Sequence, residues 1–275
     1  MELTRRDIER VVAAALAEDV GDGDITSEAL VPLDAHCRAQ LLLEEPGVVC
    51  GVQVAAAVFQ ALDPSVRVEP LIAEGAVVTT TPAIVAEIEG PARAVLTGER
   101  VALNLFARLC GIASLTRRFV ELVDGTGTTI LDTRKTTPGL RALEKYAVRC
   151  GGGANHRAGL YDAVLVKENH LRIAGGIGPA VAALNGHGGV EVEAETLAQV
   201  REALDAGVGR ILLDNMPPEQ CAEAVALAGR RVELEASGGI SLATVRSYAE
   251  SGVDFISVGA LTHSARSLHV SLEVL

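Results

Sequence analysis

The sequence predicts an incomplete, TIM-like α/β barrel of six to seven parallel strands, joined to a smaller N-terminal α/β sandwich. Three observations carry this. The chain has 275 residues, 49% of them hydrophobic, with a mean hydropathy of +0.30, enough apolar material for one large domain or two unequal ones and too much for a disordered or fibrous chain. Its texture changes near residue 100. Beyond Gly125, β-branched runs recur, each followed by a polar or glycine loop and an amphipathic helical stretch.

Each element can be justified in order. Met1 to Asp7 is mixed in charge, and the apolar stretch Val11 to Ala17 ends at Glu18-Asp19, which predicts an amphipathic helix capped by Thr4 with Asp7 three residues on, not a signal peptide. The acids Asp19, Asp22 and Asp24 lack the spacing and closing glutamate of an EF-hand and predict a loop with a cap. Ala39 to Leu43, Val66 to Leu71 and Ala83 to Ile88 read as strands. A helix around Val54 to Leu62 lies among them, with breaks at Pro46-Gly47, Pro64, Pro82 and Gly90-Pro91. Thr97 to Val123 reads as a helix interrupted only at Gly111.

The later strands are Thr129-Leu131, Ala163-Val166, Val190-Val192, Arg210-Leu213, Arg231-Leu234 and Asp254-Val258. Between them, Leu197, Val200 and Leu204 share one helical face, Pro217-Pro218 open the next helix, and Ser241 can cap the one carrying Leu242, Val245 and Ala249. Alternating β and α elements imply a parallel sheet with right-handed crossovers. Six clear strands fall short of eight, hence the incomplete barrel. A doubly wound open sheet is the alternative, and no G-x-G-x-x-G supports it. The expected division is residues 1–100, joined by the C-terminal segment 264–275, and a barrel over 101–263.

Composition narrows function. With 24 Lys+Arg against 36 Asp+Glu the net charge is −12, and no basic cluster suits phosphate neutralisation along a nucleic acid. The uncharged run Gly47 to Leu62 is short of a membrane span. Five scattered cysteines without a C-x-x-C pair predict free thiols in a reducing cytoplasm and argue against zinc or a disulfide frame. Only three lysines occur: Lys135, Lys145 and Lys167.

In a parallel barrel, chemistry sits where the strands end. The strands here run into Asp132-Thr133-Arg134-Lys135, Lys167-Glu168-Asn169-His170, Glu193, Asp214-Asn215, Ser237-Gly238-Gly239 and Gly259. Arg134, Lys135, His156, Arg157 and Lys167 would suit a small polyanion, because arginine forks grip carboxylates or phosphates and lysines add point charge. Glu193 and Asp214 could hold a hydrated Mg²⁺, act as acid and base, or pair with the arginines. Ser237-Gly238-Gly239 and Ser257-Val258-Gly259-Ala260 can present backbone N–H groups to a phosphate. Gly151-Gly152-Gly153 suggests a chain reversal, and Lys145, on a helix, a structural role.

These residues carry a specific resemblance. The run Leu131-Asp132-Thr133-Arg134-Lys135-Thr136-Thr137-Pro138-Gly139-Leu140-Arg141 is followed by Glu144-Lys145-Tyr146-Ala147-Val148, Asn155-His156-Arg157, Lys167-Glu168-Asn169-His170, Glu191-Val192-Glu193, Leu213-Asp214-Asn215-Met216 and Ser237-Gly238-Gly239. Together they resemble the quinolinate phosphoribosyltransferases over essentially the whole chain. The resemblance implies synthesis of nicotinate mononucleotide, pyrophosphate and CO₂ from quinolinate and phosphoribosyl pyrophosphate with Mg²⁺, a step in NAD biosynthesis. It also implies a homodimer with shared sites, alone or within a higher oligomer.

By position, Arg134, His156, Arg157 and Lys167 would face the two quinolinate carboxylates, with Arg100 reaching across from the partner subunit. Thr133 and Lys135 would line the same mouth, Lys135 nearer the pyrophosphate. Glu193 and Asp214 would serve the ribose hydroxyls and Mg²⁺ through water, making them catalytic with Lys135. Ser237, Gly238, Gly239, Ser257, Val258 and Gly259 would take the 5′-phosphate. Two other readings compete: a relative associated with molybdate transport, and a catalytically silent ligand-binding relative. The complete Asn155-His156-Arg157 and Lys167-Glu168-Asn169-His170 motifs favour quinolinate over the first, and intact charges at every strand end argue against the second.

Overall fold

A computed structural model describes residues 3–184 and 187–275; Met1 and Glu2 of the N-terminal reading lie outside them. In chain order the elements are α1 (Arg5–Val20), α2 (Ile25–Leu30), β1 (His36–Leu43), β2 (Gly47–Val48), α3 (Val52–Leu62), β3 (Arg67–Pro70), β4 (Val77–Val78), β5 (Ala83–Pro91) and α4 (Ala92–Leu122). Then come β6 (Thr129–Leu131), α5 (Arg141–Cys150), β7 (Leu165–Val166), α6 (Glu168–Ala174), α7 (Ile177–Ala183), β8 (Glu191–Ala194) and α8 (Leu197–Asp205). The chain closes with β9 (Arg210–Asp214), α9 (Pro218–Ala228), β10 (Glu233–Ser237), α10 (Val245–Glu250), β11 (Phe255–Ser257), α11 (Ala260–His263) and β12 (Val270–Val274). None of the described helices is long and apolar enough to cross a membrane. The chain divides into two compact units, one of residues 1–117, 136–152 and 262–275, the other of 118–135 and 153–261.

The first unit is built on a four-stranded antiparallel sheet of order β12-β1-β5-β3. The C-terminal segment supplies its edge strand, with Leu43 opposite Val270 and Ala39 opposite Val274. Along β1 a register shift between Leu41 and Leu42 lets three consecutive leucines all be buried, which strict alternation would forbid. Helix α3 seals the sheet through Val54, Ala55, Val58 and Phe59. Helix α1 starts at Thr4, whose hydroxyl accepts from the Asp7 N–H at 3.2 Å while Asp7 accepts from the Thr4 N–H, the expected box. Asp24 caps α2, accepting from the Ser27 N–H at 3.0 Å and from the Thr97 hydroxyl at 2.9 Å, so one of the three early acids serves as a cap.

Helix α4 runs unbroken through Gly111, against the expected interruption. A Cβ there would sit 1.9 Å from the Arg266 carbonyl oxygen, so glycine is present to let the C-terminal backbone cross the helix, not to end it. Arg108 on α4 donates to Glu144 at 2.9 Å, to the Ala265 carbonyl at 2.7 Å and to the Thr262 carbonyl, while Glu144, fully enclosed, also accepts from Thr137. This network ties α5 and the C-terminal segment to α4. Lys145, next to Glu144, is fully buried, consistent with structural use.

The second unit is a six-stranded parallel sheet of order β6-β11-β10-β9-β8-β7. The last strand, β11, pairs with the first, β6, at Ile256–Ile130. Setting the first strand beside the last makes it an incomplete barrel and removes the doubly wound alternative, with β6 and β7 left unpaired to each other among the described residues. Outside β6 the backbone at Ala154 adds an isolated parallel bridge to Leu131. Strand β7 begins at Leu165, two residues after the expected Ala163, and two further elements differ from the sequence expectation. Strand β10 begins at Glu233, not Arg231, because Arg231 folds back to donate to the Ala228 and Leu227 carbonyls. Ser241 opens a turn with Thr244 instead of capping, and α10 starts only at Val245.

Candidate active site

All six parallel strands deliver polar residues at their carboxyl ends, beyond the middles that are buried on both faces. Thr133, Arg134 and Lys135 follow β6, Lys167 follows β7, Glu193 lies on β8, and Asp214, Ser237 and Ser257 close β9, β10 and β11. These residues, with His156, Arg157, Gly238 and Gly239, line one cavity of about 380 Å³. A larger hollow of about 660 Å³ lies at the amino ends of the strands and is lined by Arg230, Arg231, Glu233 and Asp254, without the lysines and histidine of the first.

The cationic side is organised from beneath. Asp132, fully buried, accepts from the Asn155 side-chain amide at 2.6 Å and from the His156 N–H at 2.9 Å, fixing the segment that carries His156 and Arg157. The His156 Nδ1 accepts from the Arg157 N–H at 2.7 Å, which puts the ring hydrogen on Nε2. That Nε2 lies 3.3 Å from Glu191 and 3.5 Å from Glu235, so both ring nitrogens are engaged by protein groups. Burial and the neighbouring Arg134 push the Arg157 guanidinium below its ordinary value. Two cations that repel in a half-buried cleft are relieved by an anion between them.

On the other side, Lys167 Nζ donates to Glu193 Oε2 at 2.5 Å, and the Lys167 N–H is held by His170 Nδ1 at 2.9 Å. Glu193 is mostly buried, and its second oxygen faces the Glu168 N–H at 3.4 Å. Burial, then the Glu193 charge, pushes the Asp214 carboxyl above its ordinary value. A carboxyl held up by a neighbouring carboxylate, both of them hard oxygen donors, fits a hydrated divalent cation of the Mg²⁺ type.

The glycine loop after β10 depends on its first glycine. Gly238 has φ +101, and a Cβ there would lie 2.2 Å from Asn215 Oδ1. After β11 the geometry is less open than the sequence suggests. The Val258 N–H donates to the Leu131 carbonyl at 2.9 Å and Val258 is buried, so its amide serves the sheet and not a ligand. Val258 and Gly259 are outside the set lining the cavity. Arg100 lies in the other unit, exposed on α4.

Three residues without an assigned role prove central: Asp132, Glu191 and Glu235. Asp132 and Glu191 stand inside the quoted motifs; Glu235 lies between Leu234 and Ala236 in the middle of β10, one residue past the strand expected from sequence. Burial, then the Glu191 charge, pushes Glu235 from 4.5 up to about 7. Between those values the folded protein holds a proton the unfolded chain has released, so stability falls as pH rises from about 4.5 through about 7. Glu235→Gln should flatten this slope, by on the order of 1–3 kcal/mol across the window. Thermal unfolding of both proteins against pH measures it; parallel curves would remove the assignment.

The family models for the quinolinate phosphoribosyl transferase N-terminal and C-terminal domains match residues 24–110 and 112–273. The chain belongs to the quinolinate phosphoribosyltransferase family. It is 42% identical over 261 residues to a probable carboxylating nicotinate-nucleotide pyrophosphorylase of Bacillus subtilis, covering 94% of this chain and 90% of that one. It is 44% identical over 266 residues to the Synechocystis counterpart, with the same shares. The nicotinate-nucleotide pyrophosphorylase structure from Francisella tularensis superposes with a TM-score of 0.94 at 40% identity, covering 100% of this chain and 98% of that one. As a quinolinate phosphoribosyltransferase family member, the chain carries a charged cavity at the carboxyl ends of its parallel strands.

Proposed function

We propose that the cavity transfers the phosphoribosyl group of phosphoribosyl pyrophosphate to quinolinate with decarboxylation, giving nicotinate mononucleotide, pyrophosphate and CO₂, in NAD biosynthesis. Family membership supports the reaction. The observation that carries it to this site is the meeting of Arg134, Arg157 and Lys167 with Glu193 and Asp214 in one cavity. A dianion and a polyphosphorylated sugar need those two halves side by side.

In this reading Arg134, Arg157 and Lys167 grip the two quinolinate carboxylates, and His156 backs them, holding the Arg157 backbone. Thr133 and Lys135 line the pyrophosphate side, Glu193 and Asp214 the ribose hydroxyls, and Ser237, Gly238, Gly239 and Ser257 the 5′-phosphate. The pyridine nitrogen attacks the ribose C1 as pyrophosphate leaves. The ring becomes cationic, the carboxylate beside the nitrogen departs as CO₂, and the electron pair left on that carbon, stabilised by the adjacent positive nitrogen, takes a proton. Glu193 and Asp214 would hold Mg²⁺ through water, which supplies positive charge for the leaving pyrophosphate. Arg100 would complete the pocket of a second copy in a homodimer.

Release of labelled CO₂ from carboxyl-labelled quinolinate tests the function. Release should require phosphoribosyl pyrophosphate and stop in excess EDTA, returning with added Mg²⁺. No release with both substrates present would overturn the reaction, and release persisting in EDTA would sink the metal role alone.

A further inference from the structure

The first unit gathers thiols that the sequence scatters. Cys50, before α3, and Cys150, the last residue of α5, are 100 positions apart, yet their sulfurs and a carboxylate oxygen of Glu74 all lie within 4.8 Å of one another. We propose that Cys50, Cys150 and Glu74 bind a thiophilic divalent cation of the zinc class, with water completing the shell from the solvent side.

The donors are held in place. Glu74 accepts from the Gly51 and Val52 N–H groups at 2.7 and 2.8 Å, which fixes its carboxylate and leaves further lone pairs. Its loop is pinned on both sides of Cys50's neighbour: Gly75 donates to the Val49 carbonyl at 2.8 Å, and Val49 donates to that of Ala76 at 3.0 Å. Cys50 itself is locked by Cys110, whose sulfur accepts from the Cys50 N–H at 3.3 Å.

Spacing and chemistry agree with a metal. A zinc–sulfur bond of about 2.3 Å puts two tetrahedral sulfurs about 3.7 Å apart, so from a separation within 4.8 Å a closure of no more than about 1 Å suffices. The Cys150 sulfur is already 4.0 Å from Glu74 Oε2. Soft sulfur selects zinc-like ions over Mg²⁺, so this site is chemically separate from the carboxylates Glu193 and Asp214. Cys150 and Glu74 are accessible while Cys50 is enclosed, giving three protein donors and one open face, the pattern of an incompletely closed zinc shell.

Co²⁺ is the probe. The full chain, reduced and with Mg²⁺ in excess, should show sulfur-to-cobalt charge-transfer absorption that saturates at one metal per chain and is displaced by Zn²⁺. Cys150→Ser, at a half-exposed position, should abolish the band with circular dichroism unchanged, and Glu74→Gln should weaken binding at least about tenfold. Cys37→Ser and Cys221→Ser should leave it intact. Absence of the band in reduced wild type, or its survival in Cys150→Ser, would overturn the site. Cys150→Ser carries this decision even if Cys50→Ser, at a buried position, does not fold.

Discussion

Lys167→Ala should lower kcat/KM for quinolinate by about 10²–10³, with a smaller change in the KM for phosphoribosyl pyrophosphate. A charge-assisted hydrogen bond is worth about 1.5–3 kcal/mol, and each 1.4 kcal/mol is about tenfold. Two such terms are lost here. The ammonium no longer meets the substrate carboxylate, and the mostly buried Glu193 loses the donor now 2.5 Å away, leaving an uncompensated negative charge beside a dianion. Arg134→Ala should act in the same direction, because the cleft then loses one of the two guanidiniums that hold it open for an anion. Labelled CO₂ release at limiting quinolinate measures both. Unchanged turnover in both variants would remove the pocket assignment.

Asp132→Ala should damage stability and catalysis together. Its carboxylate is fully buried and accepts from Asn155 and from the His156 backbone, so alanine strands two donors, at about 1–3 kcal/mol each. A total of about 2–6 kcal/mol is a large part of an ordinary domain's stability. The surviving folded fraction should show kcat/KM for quinolinate reduced about 10²-fold, since His156 and Arg157 ride on that anchored segment and small misplacement is costly. Asp132→Asn should fall between, its amide keeping one acceptor oxygen. Urea unfolding and initial rates at saturating phosphoribosyl pyrophosphate separate the two effects. A folded Asp132→Ala protein with wild-type kinetics would show that Asp132 only supports the strand end.

The chemistry at the mouth was legible because parallel strands impose a simple rule. Their middles are buried on both faces and stay apolar, so any charge they need is pushed to the ends, and Arg134, Lys167, Glu193 and Asp214 stand out in one dimension. Glu235 breaks that rule. A carboxylate in a strand middle marks a buried polar partner, but the partner, His156, is 79 residues away, and no local period reports it. The Val258 amide shows the same limit in reverse: a glycine-flanked strand end looks open until the neighbouring strand's carbonyl takes its hydrogen.

The sequence by itself determined the alternating architecture, the strand-end residues and the family, because periodicity, breakers and long contiguous motifs are local properties. Only the tertiary structure decided the closure of β11 on β6, the Asp132 anchor beneath His156, and the use of Gly111 as a crossing point for the backbone at Arg266. The same holds for the thiols. Cysteines spaced unlike any zinc motif gave no sign of a site, and folding brought Cys50 and Cys150 to one carboxylate. Each of these rests on contacts between segments far apart in the chain, whose pairing is set by packing and hydrogen-bond satisfaction and leaves no mark on the local pattern.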